Sequence, residues 1–73
     1  MISVTADFYA IRVHIGGALH VHVDRAKLLG VQSWRDSEHD HSIEFVMKGG
    51  SMVTEYTDRK RWAAILKGLE KVL

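Results

Sequence analysis

DRKRWAAILKGLEKVL, residues 58–73, decides the fold. Trp62, Ile65, Leu66, Leu69 and Leu73 recur at i, i+3, i+4, i+7 and i+11, which places them on one stripe of an α-helix. No other stretch has that period over such a length. Thr57 or Asp58 is expected to cap the helix. The remaining apolar residues alternate with polar ones at period two, the pattern of half-buried strands, and strands of that kind need a cover.

Immediately upstream, Ile43, Phe45 and Met47 alternate with Glu44, Val46 and Lys48, and Gly49-Gly50 reads as a two-residue hairpin turn. Met52, Thr54 and Tyr56 then return opposite Met47, Phe45 and Ile43. On the other face Val46 meets Val53 and Glu44 meets Glu55, a like-charge pair that is mildly unfavourable. Further upstream, residues 31–36 suggest a short strand. Its apolar face is set by choosing between Val31 and Trp34, and the larger ring favours a buried Trp34. The segment DRAKLLG, residues 24–30, fits either one capped helical turn closed by Gly30 or a plain turn.

At the start of the chain Ile2, Val4, Ala6 and Phe8 share one parity, whereas Tyr9, Ile11, Val13 and Ile15 share the other, so a break is expected near residues 7–9. A three-residue loop at 16–18 would pair Ile15 with Leu19, Val13 with Val21 and Ile11 with Val23. It would also set His14 opposite His20 and Arg12 opposite His22, keeping one face wholly apolar. The expected architecture is α+β: a single domain over 1–73, formed by a small antiparallel β-meander of about five strands with one C-terminal amphipathic helix packed on one face, β-roll-like. In its order of strands followed by a helix it resembles a pleckstrin-homology-like roll, in architecture and not through any motif.

Composition narrows the function. Net charge is +1, so no bulk field draws the chain to nucleic acid or anionic lipid. Cysteine is absent, which excludes disulfides and thiolate metal sites. No apolar run approaches the length of a membrane span. With acidic Asp7 early and no basic-then-apolar run, no signal peptide is expected, and the cytoplasm is the expected compartment. At 73 residues the core is small, and self-association is the commonest remedy where disulfides are absent.

Three constellations are candidates for function. The five histidines fall in two groups. His14, His20 and His22 share the outer face of the first hairpin in the expected register, a His₃ arrangement opposed by Arg12. His39 and His41 alternate with Asp36, Glu38 and Asp40 in a polar loop. In a meander the 16–18 loop, the 37–41 loop and the helix start lie at one end of the sheet, so His14, His20, His39 and His41 are expected to converge on one rim with Arg59, Lys60 and Arg61. Second, Arg59, Lys60 and Arg61 put cations where the helix dipole prefers anions, a candidate anion-binding site. Third, Val46 and Val53 on the face away from Phe45, together with Gly68 at the edge of the helix stripe, are candidate interface residues. No nucleophile elbow or phosphate loop is present. The expected function is a non-enzymatic binding or assembly module with no cofactor, acting on a protein partner or on copies of itself. The alternatives are nucleic-acid or phosphate binding through the basic helix start, and a histidine-based metal site.

Overall fold

A computed structural model describes all 73 residues, Met1–Leu73. The protein is a small α+β fold of six antiparallel strands and one C-terminal helix: β1 (Ile2–Ala6), β2 (Ala10–Ile15), β3 (Ala18–Asp24), β4 (Leu28–Arg35), β5 (His41–Met47), β6 (Gly50–Tyr56) and α1 (Arg59–Val72). The strands form two three-stranded sheets, β1-β2-β3 and β4-β5-β6, rather than one meander of about five. The division falls at the 25–27 turn, where the Asp24 carboxylate accepts from Ala26 N at 3.0 Å. That side chain supplies a plain turn and no helical one, and Gly30 lies inside β4.

The expected break after β1 is built on Asp7, whose carboxylate accepts from both Tyr9 N and Ala10 N at 2.8 Å. Phe8 and Tyr9 form the exposed tip of this turn rather than parts of an apolar face. The next connection has two residues, not three. Gly16 and Gly17 have φ of 59° and 85°, the left-handed pair that a primed hairpin turn demands. Ile11↔Val23, Arg12↔His22 and Val13↔Val21 pair as the apolar pattern requires, but His14 meets Leu19 and Ile15 meets Ala18. The residue left over is His20, which forms a β-bulge.

On β5 and β6 the facing is as expected, but their register is displaced by two. Met47 pairs with Gly50, Phe45 with Met52, Ile43 with Thr54 and His41 with Tyr56. The turn therefore closes through Lys48 and Gly49, with Gly49 at φ 87°. Glu44 lies opposite Val53 and Ser42 opposite Glu55, so the expected carboxylate pair does not form. On β4, Val31, Ser33 and Arg35 share the inner face with Phe45, Ile43 and His41, which turns Trp34 outward to 38% exposure. Val31 packs against the core instead, and the strand's alternation then puts Trp34 on the opposite face.

Both sheets and the helix contribute to one core: Ile11, Val13, Val21 and Val23, then Ile43, Phe45 and Tyr56, then Ile65 and Leu69. Only 12 of 73 residues are buried, so each fully buried Ile, Leu or Phe, worth roughly 1.5–3 kcal/mol, weighs heavily. The helix lies against β1, β5 and β6. Asp58 caps it by accepting from Lys60 N at 2.9 Å. Ile65 and Leu69 are buried and Trp62, Leu66 and Val72 pack beside them, whereas Leu73, past the last turn, is exposed. No helix is long and apolar enough to cross a membrane.

Candidate functional site

The rim where β3, β6 and the first turn of α1 meet begins with the bulge. Because His20 has no partner on β2, its ring reaches across to β6, and Nε2 lies 2.7 Å from the Tyr56 hydroxyl. The rings meet edge-on with centroids 5.5 Å apart. Either the phenol donates to an unprotonated Nε2 or a protonated Nε2 donates to the phenol oxygen. Burial pushes the Tyr56 hydroxyl above its ordinary value of 10.0 against the opposing pull of Thr54 and Arg61, so the neutral phenol is the favoured form.

Beside this pair a cleft of about 390 Å³ is walled by Leu19, Glu55, Thr57, Asp58 and Arg61. A second cleft of about 370 Å³ lies around Met1, Ile2, Lys60 and Ala64, and it too is bordered by Arg61. Arg59, Lys60 and Arg61 are all exposed. The Lys60 N–H at this terminus is already taken by Asp58. An anion there would have to approach a carboxylate.

His41 is the inner neighbour of Tyr56 on β5. It is fully buried, its ring centroid is 4.9 Å from that of Trp62, and neither Nδ1 nor Nε2 has a hydrogen-bond partner. Trp62 is fixed by its indole N–H, which donates to Ser42 O at 3.0 Å. The rim expected from the sequence therefore forms in part. His20 comes to it through Tyr56, whereas His41 lies buried beside Tyr56 on β5 and His14 projects with His22 from the outer face of β2 and β3 beside Arg12. His39 sits in the exposed loop, where its N–H donates to Ser37 Oγ at 3.2 Å. The His14, His20, His22 arrangement is broken because the bulge turns His20 away from the other two. No three His, Asp or Glu side chains are gathered as metal ligands anywhere in the chain.

The interface candidates separate. Val46 and Val53 share the outer face of the second sheet, Val46 opposite Ser51 and half-buried, Val53 opposite Glu44 and 47% exposed. Gly68 faces inward, against Val4 on β1. Trp34 joins Val46 and Val53 on the outer face and was not among the expected surface residues. The parity of Val31 was the available signal, since it assigns Trp34 to the opposite face.

β4 supplies the other open feature. It is an outer strand, paired only with β5. A cleft of about 210 Å³ runs between it and the second half of α1, lined by Val31, Ser33, Leu66, Leu69, Glu70 and Leu73. Comparisons with protein-family models, curated proteins and solved structures found no match.

Proposed function

We propose that this chain is a non-enzymatic binding and assembly module of the cytoplasm, acting by protein–protein contact and associating with copies of itself. The observation that carries the reading is β4: eight residues long, at a sheet edge, with no strand on its outer side. Trp34 and Val53 stand exposed on the adjoining outer face. Unpaired strand edges and exposed aromatic side chains are what protein partners use. Natural edges are commonly protected by lysine, proline or a bulge. From Gly30 to Arg35 this one has no such residue and no bulge, and Arg35 at its end carries the only charge. Sedimentation equilibrium over rising concentration tests the reading. A mass climbing towards a multiple of the 8.3 kDa chain supports it. A constant single-chain mass up to millimolar concentration, on the order of the weakest specific affinities, sinks self-association.

A second reading, nucleic-acid or phosphate binding, is favoured by Arg61 alone, which borders both clefts at the helix start. Binding of labelled DNA or RNA that weakens steeply with salt supports it, and a flat titration removes it.

A further inference from the structure

We propose that two copies of this chain pair edge to edge through β4, antiparallel about a two-fold axis at Ser33, so that their second sheets become one sheet of six strands. The proposal rests on the self-association reading and gives it a geometry. It begins with the direction of the backbone groups. Asp36 N donates to Asp40 O at 2.9 Å, continuing the register in which Arg35 meets His41 and Trp34 meets Ser42. In an antiparallel ladder, residues alternate between exchanging bonds with the neighbouring strand and pointing away from it. Trp34 and Gln32 therefore bond to β5, and the N–H and C=O groups of Val31, Ser33 and Arg35 point outward. None of the backbone bonds outside the regular elements engages them.

The other outer strands are less free. β1 lies under α1. β3 is bent by the His20 bulge, and the end of β6 is tied to that bulge through Tyr56.

The register follows from the strand itself. β4 has an irregularity between Leu28 and Gly30 and is regular beyond it. The middle of the regular segment with outward-pointing groups is Ser33. Pairing about it sets Ser33 against the partner's Ser33 and Val31 against the partner's Arg35, so every outward group of these three residues meets a donor or acceptor. A shift to the next allowed register towards the N-terminus would run pairing into the irregularity. A large shift the other way would oppose the two arginines.

Charge selects the same arrangement. Arg35 and Glu70 have no ion-pair partner in their own chain, where Arg12–Asp7 is the only pair. Glu70 lines the cleft beside Val31. Since Arg35 of one copy lies across from Val31 of the other, each unpaired guanidinium is delivered to the mouth of the cleft that holds the opposite copy's unpaired carboxylate. On the outer face each Trp34 falls beside the other copy's Gln32, with the two indoles on the diagonal, within reach of aromatic contact.

The test is Ser33→Pro. Its N–H points away from β5, so proline removes no bond within the chain and is tolerated as edge-strand prolines are. In the pair it removes the bonds at the axis. Sedimentation velocity across about 10 μM to 1 mM, with circular dichroism to confirm the fold, is expected to show dimerisation weakened at least about tenfold. A folded variant that dimerises like the parent overturns the edge geometry and leaves self-association standing. A parent that stays monomeric overturns both. Should Ser33→Pro unfold, charge exchange decides. Arg35→Glu and Glu70→Arg are each expected to weaken the dimer about tenfold, and the double variant to recover it. Failure of that recovery overturns the arrangement.

Discussion

A Cβ on Gly68 would stand 2.6 Å from Val4 Cγ2 and 2.8 Å from Val4 Cβ. Gly68 is therefore the position at which the helix closes on β1. Glycine inside a helix costs up to about 1 kcal/mol relative to alanine, so on helix propensity alone Gly68→Ala should stabilise. The contact reverses the sign, because Val4 Cβ is rooted in a strand and cannot swing aside. Overpacking of this kind costs about 1–3 kcal/mol. Urea denaturation of Gly68→Ala is expected to show a net loss of up to about 2 kcal/mol. The double variant with Val4→Ala is expected to lose less than the sum of the single effects. A rise in midpoint for Gly68→Ala would place the helix farther from β1 than described.

His41 carries two ring nitrogens with no partner, in full burial against Trp62. Leaving such groups unsatisfied costs about 1–3 kcal/mol. His41→Phe keeps a ring on Trp62 and removes both nitrogens. A gain of about 1 kcal/mol at pH 7 is the expected result, less than the full penalty because phenylalanine is larger. Loss of stability in the same measurement would mean that the imidazole is satisfied in solution, by water or by a shifted neighbour.

Tyr56→Phe tests the link between the bulge and β6. Removing the hydroxyl deletes its bond to His20 Nε2, and a loss of about 1 kcal/mol, the net worth of one hydrogen bond, is expected. The same hydroxyl has a pH signature. Its folded pKa is raised by burial, so its contribution is complete below the ordinary value of 10.0 and disappears as pH climbs through the raised one. The parent should lose stability above pH 10.0, and Tyr56→Phe should lose less over that range. Parallel alkaline profiles would show that the phenol is not desolvated.

Asp7 governs the acid side. The Arg12 guanidinium, bonded to Asp7 Oδ2 at 2.8 Å, and the N–H groups of Ala10 and Tyr9 hold this carboxyl down to about 2 from an ordinary 3.8. A depressed folded pKa adds stability that is present above the unfolded value and lost as pH falls through the folded one. The window is therefore about pH 4 to 2. Asp7→Asn should flatten the stability profile there, read by chemical denaturation at a series of acid pH values. Because the group is solvent-exposed, the effect should shrink in high salt. An unaltered slope would show that Asp7 is not held in this contact.

The sequence made parity legible and left pairing open. A shift by two residues keeps every side chain on its face, so the alternation of Ile43, Phe45 and Met47 located the core face of β5 without fixing whether Phe45 meets Thr54 or Met52. The same blindness concealed the bulge. A two-residue turn with His20 left over and a three-residue turn without a bulge both pair Val13 with Val21. The division into two sheets turns on the local chemistry of Asp24, whose capacity to cap a helical turn or close a plain one reads alike in sequence. At the rim, the alternation marks Tyr56 as a core residue only, because nothing near it in the chain announces a histidine 36 positions away. The helix was most legible, since its stripe repeats over several turns and its cap is local.

The two indoles of this chain occupy opposite circumstances. Trp62 is half-buried, its N–H held by a carbonyl and its ring against His41, whereas Trp34 stands on the free edge strand with one side open to solvent. The molecule thus carries two indole fluorophores, one that senses the closing of helix on sheet and one that senses whatever docks along β4. With either replaced by phenylalanine, the emission of the other separates unfolding from association in a single cuvette.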